Sequence, residues 1–113
     1  MWPFSRSSPG AAVARIDVRE AFERQRRGAR LIDVRTPQEF RAGHPKGARN
    51  ISPQQIKGDA TGLKKDDEVL VICASGHRSA RAAHQLAGMG FTNVCDVRGG
   101  FHAWVGAGLP AKK

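Results

Sequence analysis

Hydrophobic and polar positions follow two rhythms along this chain. Val69, Leu70, Val71 and Ile72 form an unbroken apolar, β-rich run, the pattern of a strand buried on both faces. Leu31, Ile32 and Val34 predict a second strand, with Asp33 inside it. Residues 12–16, 47–51 and 91–97 predict three more, the middle one preceded by a turn. Between these runs the period lengthens. Asp17 with Glu20 three residues on marks a helix start, Val18, Ala21 and Phe22 share one face, and Gly28 is a C-cap. Thr36-Pro37-Gln38-Glu39 is a second start, with proline at the first helical position and a capping-box glutamate, for a short helix ending at Gly43. Ser52-Pro53-Gln54-Gln55 repeats that pattern. From Ser79 to Met89 alanines, Leu86 and Met89 predict a longer helix, stopped by Gly90, and residues 101–105 a final short one around Trp104. Strands alternating with helices argue for an α/β fold, a largely parallel sheet in three layers.

The domain is expected over residues 12–110. Residues 1–11, rich in Pro, Ser and Gly, read as a flexible N-terminal tail, with Trp2 and Phe4 available to dock or to touch a membrane surface weakly, and residues 111–113 as a basic C-terminal tail. A chain of 113 residues supports one core. No run approaches the roughly 20 apolar residues of a membrane span, and the first residues lack the apolar segment of a signal peptide. A cytoplasmic monomer is the expectation.

Charge narrows the partners. The net charge is +9, but its basic residues are dispersed and no aromatic stacking motif accompanies them. This favours small anionic substrates over nucleic acid. Two cysteines, Cys73 and Cys95, make no disulfide framework, and without C-x-x-C or paired Cys/His spacing no metal site is expected. Cys95, flanked by apolar strand residues, reads as a buried, inert thiol.

Cys73 is different. It ends the central apolar run and opens the short loop Ala74 to Arg78 that feeds a helix. Open α/β sheets bind ligands at that edge. Successive N–H groups and the helix dipole there stabilise a thiolate, which makes it nucleophilic at neutral pH. Gly76 supplies a positive φ or close approach to a ligand. Ala74 and Ser75 are small enough to admit one. His77 is either added positive charge or an exposed bystander. Arg78 contacts an anionic substrate or braces the loop against an acidic side chain. Ser79 is expected as the helix N-cap, with its hydroxyl near the sulfur.

Four stretches together resemble the single-domain rhodanese, or thiosulfate sulfurtransferase, family: LIDVRTPQEF at 31–40, GHPKGARNI at 43–51, CASGHRS at 73–79 and GGFHAWVGAGLP at 99–110. The resemblance implies the rhodanese-like three-layer fold, a five-stranded, mainly parallel sheet flanked by helices. It implies a catalytic Cys73 that carries a persulfide, takes sulfur from a donor such as thiosulfate, and passes it to cyanide or a thiol without a cofactor. A sulfur-relay module serving a protein acceptor is the alternative. The C-x4-R spacing of Cys73 and Arg78 resembles sulfurtransferases rather than the C-x5-R of related phosphatases and arsenate reductases. Asp33, Arg35 and Glu39 match the family's D-V-R…E pattern and are expected as a buried ion-pair network near the loop. His44 is expected as a hydrogen-bonded structural residue, Trp104 in the core, and His84 and His102 on helix faces. Pro45 departs from the pattern, standing where the family commonly has isoleucine.

Overall fold

The computed structural model of the protein describes residues 13–113. Expectations for the N-terminal tail, with Trp2 and Phe4, lie outside the described residues. The described chain begins with β1 (Ala14–Ile16), α1 (Val18–Arg26) and β2 (Arg30–Asp33). After α2 (Pro37–Ala42) come two short strands, β3 (His44–Pro45) and β4 (Arg49–Asn50), and α3 (Pro53–Lys57). The second half holds β5 (Val69–Ile72), α4 (His77–Gly88), β6 (Val94–Val97), α5 (Gly100–Gly106) and β7 (Ala111–Lys112).

Five strands form one sheet in the order β1-β6-β5-β2-β4, and every pairing in it is parallel. The central strand β5 is buried at all four positions, as an apolar run without alternation requires. Its side chains part by the period of two. Val69 and Val71 enter a core with Ile56, Ala82, Ala83, Leu86 and Phe91, beneath α3 and α4. Leu70 and Ile72 enter the opposite core with Val18, Ala21, Val97 and Trp104, beneath α1 and α5. Each fully buried aliphatic side chain contributes roughly 1.5–3 kcal/mol, so this strand is the mechanical centre of the fold. Trp104 fills the second core, meets Phe22 edge-on and donates its indole N–H to the Pro110 carbonyl.

The helix starts are chemical. Asp17 accepts from the Glu20 N–H at 2.8 Å. Thr36 with Glu39 and Ser52 with Gln55 close reciprocal capping boxes, each with proline in the first turn. Two expectations shift. Residues 91–93 precede β6 rather than joining it. Ala111 and Lys112, read as part of a basic tail, pair antiparallel with His44 and Pro45 as the ribbon β3–β7. Pro45 is buried there, and a two-residue edge ribbon tolerates its missing N–H. His44 donates from Nδ1 to the Phe40 carbonyl, 2.7 Å away, and stacks on the Phe40 ring. Among the described residues no helix is long and apolar enough to cross a membrane.

Candidate active site

The loop from Ala74 to Gly76 lies at the carboxyl edge of β5 and turns directly into α4. Gly76 has φ +111°, a conformation that side-chain-bearing residues rarely adopt, and it is the N-cap of the helix. That turn aims its N–H back at the preceding cysteine, and Gly76 N donates to Cys73 Sγ at 3.0 Å. The helix therefore begins at His77, two residues before the Ser79 expected to cap it. Ser79 sits instead inside the first turn, fully buried, with Oγ 3.3 Å from Cys73 Sγ and 2.6 Å from Asp96 Oδ1. Ala74 is partly exposed and Ser75 exposed, with Ser75 Oγ 3.4 Å from Nδ1 of His77, itself exposed on the rim.

The loop is held from below by α5. The Phe101 N–H donates to the Cys73 carbonyl at 2.7 Å and the His102 N–H to the Ala74 carbonyl at 3.1 Å. Such an approach requires glycine at position 100. Its φ is +60°, and a Cβ there would lie 2.5 Å from the Cys73 carbonyl oxygen and 2.6 Å from Ala74.

Electrostatics favour ionisation of Cys73. Burial pushes the thiol up, but its hydrogen bond with the Ser79 side chain and those from the Ser79, Gly76 and Ser75 N–H groups outweigh it, and the net direction is downward. No acidic residue stands in the first turn of α4 to oppose the helix dipole. Cys95 has the opposite character. Burial pushes its thiol up, only partly offset by Arg24, whose Nη1 is 3.3 Å from Sγ. The two sulfurs face different cores.

The expected Asp33–Arg35–Glu39 network divides into two pairs. Arg35 binds both oxygens of Asp33, at 2.8 to 3.1 Å, and donates to the Gly43 carbonyl. Its guanidinium lies over the Phe101 ring, 4.6 Å from the centroid. This pair is buried, at 6% and 0% side-chain exposure. Glu39 is not in it. Glu39 is half-buried and receives both Nη groups of Arg78, at 2.8 and 3.0 Å, tying α2 to the first turn of α4. Arg78 thus stands in an ion pair with an acidic side chain, the contact that a brace for the loop would make.

Asp96 and Arg15 went unnoticed in the sequence. Asp96 is a charged residue between Cys95 and Val97 in a buried strand, and that misfit was the available signal. By alternation it faces α4 together with Val94, toward Ser79, and Arg15 Nε reaches its Oδ2 at 3.4 Å. Among the described residues no cluster of three His, Cys, Asp or Glu could hold a metal ion. His84 and His102 are exposed on α4 and α5.

Comparison with known proteins shows which family shares this parallel sheet and its cysteine-headed loop. The chain belongs to the rhodanese-like family, whose domain model matches residues 14–107. The Bacillus subtilis protein YqhL, which is uncharacterised, is 43% identical over 94 residues, 83% of this chain and 74% of that protein. The thiosulfate sulfurtransferase GlpE of Pseudomonas putida is 40% identical over 91 residues, 80% of this chain and 83% of the enzyme. Among solved structures, a rhodanese-related protein from Thermoplasma volcanium superposes with a TM-score of 0.78 at 31% identity, covering 88% of this chain and 97% of that one. The polysulfide-sulfur transferase of Wolinella succinogenes gives 0.77 at 27% identity, covering 92% and 81%.

Proposed function

We propose that this protein is a sulfurtransferase that carries sulfur as a persulfide on Cys73. The observation that carries this reading is the seat of Sγ: it heads a C-x4-R loop at the start of α4, with the Gly76 N–H at 3.0 Å. Relatives named thiosulfate sulfurtransferase support it. In the first half-reaction the Cys73 thiolate attacks the outer sulfur of thiosulfate. A new S–S bond forms, and the bond from that sulfur to the sulfonate breaks with its electron pair, releasing sulfite. The outer sulfur of the persulfide is anionic, and the Gly76 N–H and the N-terminus of α4 suit that charge. In the second half-reaction cyanide or a thiolate attacks the outer sulfur. The S–S electron pair returns to Sγ, and thiocyanate or an acceptor persulfide leaves. A protein thiol acceptor, as in a sulfur relay, would use the same intermediate.

Ala74, Ser75, Gly76, His77 and Arg78, with the buried Ser79 behind them, form the active-site segment of this proposal, with Arg78 held by Glu39 and the Asp33–Arg35 pair packed on Phe101. No cofactor takes part. Two free, buried cysteines suit a reducing compartment, and the cytoplasm is the location proposed. The test is thiocyanate formation from thiosulfate and cyanide. Wild-type protein should turn over and Cys73→Ser should not; turnover by folded Cys73→Ser at the wild-type rate would refute the assignment.

A further inference from the structure

A line of three buried groups runs through the protein from the reactive sulfur: Cys73 Sγ, Ser79 Oγ at 3.3 Å, and Asp96 Oδ1 at 2.6 Å from that oxygen. Arg15 ends the line. Its Nε is 3.4 Å from Asp96 Oδ2, and its Nη2 would lie 3.2 Å from a Cβ placed on Gly76. Arg15 is half-exposed, whereas Asp96, Ser79 and Cys73 are all nearly or fully buried.

A hydroxyl owns one proton. The 2.6 Å contact to a carboxylate is the short, charge-assisted bond that Ser79 makes as donor. Its proton is therefore committed to Asp96, and the face of Oγ turned to sulfur can only accept. That suits the thiol, whose S–H points into Oγ. It does not suit the thiolate, which carries no proton and needs a donor. For Ser79 to serve the thiolate, its hydroxyl must turn from Asp96 to Sγ, and Asp96 must give up its shortest bond.

We propose that Asp96 is a positioning residue that sets the protonation of Cys73 by competing with its sulfur for the single proton of Ser79. Arg15 moderates that competition, because a carboxylate already held at Oδ2 releases Oδ1 more readily. Other titratable groups on the elements packed around this line include His77, Arg78 and Arg81 of α4, Cys95 of β6, the Asp33–Arg35 pair beyond β2, Glu39 of α2, which is engaged by Arg78, and His102 of α5. None of them is bonded to Ser79 among the contacts described. The proposal rests on Cys73 being the reactive thiol of the proposed function, so its test reads that thiol directly and not turnover.

The test is the pH dependence of Cys73 alkylation by iodoacetamide, followed by mass spectrometry of the Cys73 peptide from folded full-length protein. Asp96→Asn keeps the shape but removes the charge and weakens the competing acceptor. Its alkylation midpoint should fall by about one pH unit, a tenfold gain in thiolate at a pH below both midpoints. In a Ser79→Ala background the same substitution should shift the midpoint by less than half as much, because the shared proton is gone. Arg15→Gln, at a half-exposed position, should move the midpoint up and serves as the readout if Asp96→Asn does not fold. An unchanged midpoint in Asp96→Asn would overturn the proposal. So would an equal shift in the Ser79→Ala background, which would mean a through-space charge effect without the hydroxyl. For Arg15→Gln, a midpoint that stays or falls would overturn it as well.

Discussion

Arg78 and Glu39, 39 residues apart in the chain, meet as a two-pronged ion pair in which both Nη groups engage both carboxylate oxygens. The bond to Arg78, followed by the Thr36 N–H, holds the Glu39 carboxyl down at about 2, well below its ordinary 4.5. A depressed carboxyl contributes stability above its unfolded value and loses it as the pH falls through the folded one. The contribution of Glu39 is therefore complete above roughly pH 4.5–5 and disappears toward pH 2. Both side chains are more than a third exposed, so solvent screens the pair and its worth is about 0.2–1 kcal/mol. Urea unfolding of wild type and Glu39→Gln should differ by that amount at neutral pH and converge near pH 2. A difference that persists at pH 2 would contradict the ion-pair account.

The same pair predicts kinetics. If Arg78 acts as a brace for the loop, Arg78→Ala and Glu39→Gln should slow sulfur loading and cyanide discharge alike, by about two- to fivefold, the rate equivalent of such a pair. Single-turnover rates of the two steps decide. A defect of Arg78→Ala confined to the KM for thiosulfate, with Glu39→Gln unaffected, would make Arg78 a donor contact instead.

Asp33 and Arg35 are a pair of the other kind. Both are buried, and removing one partner strands a charge. Arg35→Ala should cost about 3–5 kcal/mol in urea unfolding, with the loss of the Phe101 contact included. A cost under about 1 kcal/mol would contradict the account of a buried, uncompensated charge.

Gly100 bears directly on the loop. A methyl group there meets the Cys73 carbonyl and Ala74 at clash distance, with φ positive besides. Gly100→Ala should destabilise by more than about 2 kcal/mol and abolish or strongly reduce sulfur transfer. Cys95→Ala should do neither to a comparable degree, since that thiol is buried, pushed upward and faces the opposite core. Loss of turnover in a stable Cys95→Ala would give Cys95 a part in the chemistry.

What the sequence made legible was local. Val69 to Ile72 could only be a doubly buried strand, and the capping boxes at Thr36 and Ser52 located two helix starts to the residue. Cys73 at the end of that strand followed from adjacency alone. The misplaced details depend on contacts remote in sequence. Ser79 read as a cap because serine favours caps, but the positive φ of Gly76 starts the helix two residues earlier and leaves the hydroxyl buried for Asp96. Glu39 was grouped with Asp33 and Arg35 because the three match one family pattern, whereas its partner is Arg78, 39 residues away in the chain and brought near only by the fold. Lys112 looked like a tail because it is basic and terminal, whereas backbone pairing to His44 is blind to side-chain charge.

The central claim is a covalent one: Cys73 carries the sulfur. Intact mass after thiosulfate, before and after cyanide, tests it most directly. Wild-type protein should gain roughly 32 Da, one sulfur atom, on the peptide that holds Cys73, and cyanide should remove it. Cys95→Ala should gain the same mass and Cys73→Ser none. Added sulfur found on Cys95, or no added mass in protein that is visibly turning over, would contradict the account.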